Sequence, residues 1–169
     1  MRKTETIKIA FFKGSRHKFH HRFIRWWTKS PYSHAEIVLD NGQTWIAISP
    51  FVFTGVAARI RTSVPDDEWD YLEFHITPEE LYALKDFVAE TTSDSYDWFG
   101  MILSQITPFI VKGKGKWYCS SWISHALVHA GIVRLKRLGI YEIANLHPGK
   151  LYEILSQIAS IPRENTNEP

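Results

Sequence analysis

The sequence has one cysteine, no long apolar run and almost no net charge, and each of these excludes a class of protein. Cys119 is the single cysteine among 169 residues, so an intramolecular disulfide and a disulfide-stapled scaffold are excluded. No apolar stretch has the length of a membrane-spanning helix or of a signal-peptide core. The formal net charge is +2, which is modest for a nucleic-acid-binding protein. These features predict a cytoplasmic protein with no transmembrane segment.

The charge is nevertheless uneven, because the segment 13–29 carries basic residues and no acidic one. Its lysines and arginines are interleaved with four aromatic residues, Phe19, Phe23, Trp26 and Trp27. This mixture is typical of surfaces that contact anionic membranes or phosphate groups. It also fits a solvated amphipathic helix whose aromatic side chains pack on the core, and we favour this second interpretation. Contact with an anionic surface stays open as the alternative, and no nucleic acid partner is expected.

Hydrophobic periodicity indicates an α+β fold in which strands precede helices. Runs rich in β-branched and aromatic residues predict strands at 7–12, 33–39, 44–48, 56–61 and 71–76. The second and third strands flank Asp40-Asn41-Gly42, a turn sequence of the hairpin type. We therefore expect an antiparallel sheet in the first half of the chain.

The second half of the chain is predicted to be helical. Thr77-Pro78-Glu79-Glu80 is a capping box that opens a helix to about Thr91. Further helices are expected from about Ser95, from Cys119 to Gly131, and over about 148–159. The helices should pack on the sheet within one domain of residues 1–162, followed by a flexible tail of residues 163–169.

Cys119 is a candidate nucleophile because of its place at the start of a predicted helix. The unsatisfied N–H groups and the dipole of a helix N-terminus favour a thiolate over a thiol. Trp122, Ile123, Ala126 and Leu127 follow at helical spacing, so this helix should be buried with its first residue at a cleft. A free cysteine also fills core space as a small hydrophobe, and the position by itself leaves both interpretations open.

A cysteine nucleophile requires a nearby base and a polar group that orients the base. His34 opens a predicted strand, and Glu36, two residues later, projects from the same face of that strand. They are the candidate base and its carboxylate neighbour. Three tyrosines, Tyr32, Tyr96 and Tyr118, are candidate substrate-contact donors, although tyrosines beside a core more often pack there.

No metal site or cofactor is expected. His125 and His129 have the spacing of a helical metal pair, but the sequence between them lacks the glutamate of the metalloprotease motif and no third ligand is evident. The glycines of the chain form no phosphate-binding fingerprint. The chemistry should therefore be that of the side chains themselves.

Three short motifs, in this order, resemble a known family. They are Tyr32-Ser33-His34-Ala35-Glu36-Ile37-Val38, Tyr96-Asp97-Trp98-Phe99-Gly100 and Trp117-Tyr118-Cys119-Ser120. They look like the circularly permuted branch of the NlpC-like papain-fold cysteine hydrolases, which includes the YiiX/YebB-type proteins and uncharacterised bacterial and phage proteins. Lecithin:retinol acyltransferases are more distant relatives. The resemblance covers roughly residues 5 to 135.

The resemblance implies a permuted papain-like fold, with Cys119 as nucleophile, His34 as general base and Glu36 as the group that orients the imidazole. The chain departs from the family pattern at Ser121, where relatives often carry glutamate after Cys-Ser. It departs again at Ile46, where YiiX-type relatives often carry glutamate in the second hairpin strand. The first departure concerns substrate recognition, and the second leaves Glu36 as the obvious carboxylate.

The function implied by the resemblance is hydrolysis of an amide bond, in a peptide or in peptidoglycan, through an acyl-enzyme. A cell-wall substrate would require delivery of the protein by lysis or secretion, since no signal peptide is evident. One alternative is a lipid-directed acyltransferase or thioesterase, with the segment 13–29 and the apolar run 106–111 at an interface. The other is a non-catalytic binding module that keeps the fold and its cleft.

Overall fold

The computed structural model describes nine parts of the chain. These are residues 4–13, 26, 29–39, 42–48, 56–60, 66–92, 94–96, 116–134 and 146–160, excluding the side chains of residues 57, 59, 66, 95, 96 and 116. Several predicted features lie outside these residues. They are most of the segment 13–29, Asp40 and Asn41 of the hairpin turn, residues 97–100 of the second motif, the run 106–111 and the tail 163–169.

Five strands form an antiparallel sheet, in agreement with the predicted strand-rich first half. The strands are β1 (Glu5–Phe12), β2 (His34–Leu39), β3 (Thr44–Ile48), β4 (Val56–Ile60) and β5 (Trp69–Ile76). Their spatial order is β4-β3-β2-β1-β5. In this order β1 pairs with β2 on one side and with β5 on the other. The central strand is β2, which carries His34.

The predicted hairpin between β2 and β3 is confirmed. Ile37 pairs with Ile46 and Leu39 with Thr44. Gly42 in the connection has a φ of 97°, a left-handed conformation that glycine adopts without the steric cost of a Cβ. The indole Nε1 of Trp45 donates a hydrogen bond to the Gly42 carbonyl at 2.9 Å, which closes the turn.

Three helices are described, α1 (Pro78–Glu90), α2 (Cys119–His129) and α3 (Pro148–Ala159). The capping box at α1 is present as predicted, since the Glu80 N–H donates to Thr77 Oγ1 at 3.2 Å and the Thr77 N–H donates to Glu80 Oε2 at 2.9 Å. His147 caps α3, because its Nδ1 accepts the Lys150 N–H at 3.2 Å. The predicted α+β class is therefore confirmed.

The helix predicted from about Ser95 is wrong at its start. Ser95 and Tyr96 form a short strand, β6 (Ser95–Tyr96), which pairs in parallel with β7 (Lys116–Trp117). The pairing gives backbone N–H and C=O groups of both segments hydrogen-bond partners outside a helix. It also brings the chain directly before Cys119 alongside residues that follow α1.

The main hydrophobic core lies between one face of the sheet and the helices. It contains alternate residues of β1 and β2 together with the apolar residues of α2, and its members include Ile9, Phe11, Ala35, Ile37, Trp122, Ile123, Ala126 and Leu127. Ala10, Val38, Trp45 and Trp69 form a smaller cluster from the alternate strand positions. Because α2 buries apolar residues over most of its length, the packing of this helix fixes the position of its first residue, Cys119.

The expectation that Trp26 packs on the core is wrong, since 72% of its surface is exposed. In the part of the chain that is described, no helix combines the length and the apolarity needed to span a bilayer.

Candidate active site

Cys119 is the first residue of α2 and is 5% exposed. The residue before it, Tyr118, is the N-cap in an extended conformation, and its side chain makes no capping hydrogen bond. Its carbonyl accepts the Trp122 N–H at 2.9 Å, which closes the first helical turn. The sulfur thus lies at the positive end of a buried helix, where a negative charge is stabilised.

His34 brings its imidazole to this sulfur from the first position of β2. The imidazole and the Cys119 side chain are in hydrogen-bonding contact, and Cys119 also acts on the imidazole through its charge. His34 Nε2 lies 3.3 Å from Glu36 Oε1. The side chains of His34 and Glu36 are 16% and 2% exposed, so the group lies largely out of water. The structure therefore brings together Cys119, His34 and Glu36, and their catalytic roles stay predictions.

The electrostatics of the group favour a protonated imidazole. Burial acts to lower the pKa of His34, but the charge of Cys119 and its hydrogen bond, followed by the hydrogen bond and charge of Glu36, outweigh burial and raise that pKa to about 10. A cation next to a thiol is one of the settings that favour the thiolate. The raised pKa of His34 favours a proton on the imidazole, next to the sulfur.

The arrangement of the ring nitrogens defines what each can do. Nε2 faces the Glu36 carboxylate at 3.3 Å, and an imidazole has a second ring nitrogen that can serve another partner. A carboxylate on one side of an imidazole fixes both its orientation and its tautomer, and it stabilises the imidazolium. This line of thiol, imidazole and carboxylate can abstract a proton from a nucleophile and return it to a leaving group.

Tyr32 lies two residues before His34 in the chain, and its hydroxyl is bonded to Asp70. The hydroxyl donates to Asp70 Oδ2 at 2.7 Å, and Lys13 Nζ lies 2.9 Å from Asp70 Oδ1. Burial, followed by the hydrogen bond to Asp70, raises the pKa of Tyr32. The ring packs against Phe11 and Tyr152. The Tyr32 hydroxyl therefore donates within the protein, and its ring is part of the packing before β2.

Of the other two candidate tyrosines, the structure describes the side chain of Tyr118 but not that of Tyr96. Tyr118 is buried, and its backbone caps α2. Tyr96 contributes its backbone to β6, and its side chain lies outside the described residues. Their proposed contacts with substrate stay predictions.

Two buried polar residues that support α2 were not among the predicted site residues. Ser120 donates its hydroxyl hydrogen bond to the Leu146 carbonyl. Thr91 Oγ1 accepts the indole N–H of Trp122 at 3.0 Å. The sequence signal for the Ser120 contact is a serine within an apolar helix. A buried serine hydroxyl requires a hydrogen-bond partner.

The two histidines later in α2 have local partners. His125 Nδ1 lies 2.8 Å from the Ser121 carbonyl, and the His129 ring lies 5.2 Å from the ring of Phe87. Among the described residues, no three His, Cys, Asp or Glu side chains are grouped as metal ligands. The contacts of both histidines are therefore those of residues on a packed helix.

The comparisons with known proteins give no family. No family model, no curated protein and no solved structure matches this chain.

Proposed function

We propose that the protein is a permuted papain-like cysteine hydrolase that acts by acyl transfer. The observation that carries the proposal is the contact of Cys119, at the N-terminus of α2, with the His34 imidazole, which also lies 3.3 Å from the Glu36 carboxylate. Three features of a thiol nucleophile coincide here, namely a helix N-terminus, an adjacent imidazole and a carboxylate next to that imidazole. A core-filling cysteine requires none of them.

The proposed reaction has two halves. The Cys119 sulfur attacks the carbonyl carbon of an amide or ester, and the S–C bond forms as the carbonyl oxygen becomes negative. The backbone N–H of Cys119 stabilises that oxygen as part of an oxyanion hole. The bond to the leaving group then breaks, and the leaving group takes the proton from His34.

The second half returns the enzyme to its starting state. Water gives a proton to His34 and attacks the thioester carbon. The S–C bond then breaks, the sulfur leaves as thiolate, and a carboxylic acid is released. Throughout both steps Glu36 keeps the imidazole aligned and compensates its positive charge. The reaction involves no group beyond the three side chains, the backbone and water.

The substrate class we propose is an amide bond in a peptide or in peptidoglycan, on the strength of the motif resemblance. One observation favours the alternative of an acyl-lipid substrate. Trp26, within the basic segment 13–29, is 72% exposed, and exposed tryptophans beside basic residues are suited to a membrane surface. A panel that varies the acyl chain distinguishes the two classes.

The test is to trap the acyl-enzyme. The protein is mixed with p-nitrophenyl esters of short and long acyl chains and with peptide p-nitroanilides, and its intact mass is followed with time. We expect an adduct with the mass of the acyl group, located at Cys119 by peptide mapping and absent from the Cys119→Ser variant. Preference for long acyl chains would support the lipid substrate, whereas preference for the anilides would support the peptide.

The His34→Ala variant separates catalysis from the ordinary reactivity of a thiol. We expect acylation of this variant to be slower by about 10²- to 10⁴-fold, the usual contribution of a positioned acid or base. Equal acylation of wild type and His34→Ala, or an adduct at a residue other than Cys119, would contradict the proposal.

A further inference from the structure

The turn at the start of α3, residues 146–150, contacts the residue that follows Cys119. Ser120, the second residue of α2, is fully buried, and its hydroxyl donates to the Leu146 carbonyl. Leu146 is also buried and directly precedes His147, the N-cap of α3. A side chain one residue from the reactive sulfur is therefore bonded to the backbone at the start of another helix.

The same turn contacts the segment that leads into His34. A Cβ added at Gly149 would overlap Ser30 Oγ and would lie 2.5 Å from Ser30 Cβ, so the Ser30 side chain approaches the backbone of residue 149 closely because that residue is glycine. Ser30 Oγ in turn accepts the Tyr32 N–H at 3.1 Å. Further along α3, the Tyr152 ring lies 4.7 Å from the ring of Tyr32. These contacts fix the chain two residues before His34.

We propose that the turn at the start of α3, residues 146–150, sets the distance between Cys119 and His34, with Ser120 and Gly149 as positioning residues. The inference rests on the proposed function of the Cys119–His34 pair. Cys119 and His34 belong to different elements, α2 and β2, and the turn at the start of α3 contacts the chain one residue after Cys119 and four residues before His34. A displacement of about 1 Å in such a pair is enough to lower reactivity a hundredfold.

A readout that separates positioning from stability is available in the pH dependence of alkylation. At about pH 6 a thiol reacts with iodoacetamide only to the extent that its surroundings favour the thiolate, whereas at about pH 10 an ordinary cysteine is ionised without help. The ratio of the rate at pH 6 to the rate at pH 10 therefore reports the contact with His34. Loss of stability alone would change both rates together.

Two variants alter the turn from its two sides. Ser120→Ala removes the hydrogen bond to Leu146, and Gly149→Ala forces the turn away from Ser30. We expect each to lower the ratio at least about fivefold, because each changes the position of one partner of the pair. The two variants do not share a contact, so if one fails to fold, as judged by far-UV circular dichroism, the other still tests the proposal.

Ser124→Ala is the matched control. Ser124 is as fully buried as Ser120, and its hydroxyl bonds to the Ser120 carbonyl within α2 at 2.8 Å. The control removes a buried hydroxyl from the same helix without touching α3, and its ratio should stay within about twofold of wild type. Equal falls for Ser124→Ala and Ser120→Ala, or a wild-type ratio in a folded Ser120→Ala or Gly149→Ala, would overturn the proposal.

The His34→Ala variant distinguishes failure of this inference from failure of the proposed function. If His34→Ala leaves the wild-type ratio unchanged, the pair itself is absent and both fail. If His34→Ala lowers the ratio whereas folded Ser120→Ala and Gly149→Ala do not, the pair stands and only the role of α3 is lost.

Discussion

Replacing Glu36 with glutamine is expected to slow acylation of Cys119 by about 10²- to 10⁴-fold. Glutamine keeps the size of the side chain but removes the negative charge 3.3 Å from His34 Nε2. The pKa of His34 should fall, because the hydrogen bond and the charge of Glu36 both raise it. The imidazolium is then less favoured beside the sulfur, and the ring loses the partner that fixes its orientation.

The measurement is the acylation rate as a function of pH. In wild type, the protonated His34 that protonates the leaving group is lost as the pH rises through the pKa of His34, which lies at about 10. In Glu36→Gln this alkaline limit should move to lower pH, since the folded-state pKa is lower. An unchanged rate and an unchanged alkaline limit would show that Glu36 does not act on His34.

Two further variants sharpen this comparison. Glu73→Gln removes a carboxylate from β5 of the same sheet, where it pairs with Lys8 at 2.8 Å and is half exposed. It changes the net charge equally and should leave acylation unaltered. In a His34→Ala background, Glu36→Gln should have little further effect, because a residue that acts through another loses its influence when that residue is removed.

Replacing Trp122 with alanine is expected to lower the free energy of unfolding by about 3–5 kcal/mol. Trp122 has no exposed surface, donates to Thr91 Oγ1 at 3.0 Å and lies 5.9 Å from the Phe87 ring. Its removal leaves a cavity between α1 and α2 and breaks a buried hydrogen bond. Since Cys119 lies three residues earlier on the same helix, alkylation at low pH should weaken as well.

Urea unfolding followed by far-UV circular dichroism measures this loss. Trp26→Ala is the matched control, because the same deletion at a residue that is 72% exposed should change stability by no more than about 0.5 kcal/mol. Trp122→Phe keeps most of the apolar volume and should lie between the two. A loss below about 1 kcal/mol in Trp122→Ala would be incompatible with a tryptophan that anchors α2 in the core.

The sequence predicted correctly those features of the fold that have a local physical cause. The capping box of α1 is fixed by four adjacent residues, and the β2–β3 hairpin by a short turn between two apolar runs. The strand at Ser95–Tyr96 was not predicted, because its partner is Lys116–Trp117. A two-residue strand has no periodicity of its own, so it is visible only once its partner is placed beside it.

The candidate site divides in the same way. Strand periodicity places His34 and Glu36 together, and helix periodicity places Cys119 at an N-terminus. Their meeting depends on how α2 packs across the sheet, which no local pattern specifies. Contacts to backbone carbonyls are still harder to predict, because the Leu146 acceptor of Ser120 could belong to any residue type. The hydrogen bond from the Tyr32 hydroxyl to Asp70 likewise joins residues that are distant in the sequence, so it depends on the tertiary fold.

The most direct test of the central claim, that Cys119 and His34 form a reactive pair, is alkylation of Cys119 by iodoacetamide from about pH 4 to 10. A thiol with the reference pKa of about 8.5 is only about 0.3% ionised at pH 6. We predict that wild type reacts at pH 6 at least about tenfold faster than His34→Ala, because the imidazolium beside the sulfur favours the thiolate, and that the two rates converge near pH 10. Cys119 that is inert in folded wild type, or that reacts equally with and without His34 at every pH, would contradict the claim and favour a non-catalytic binding module.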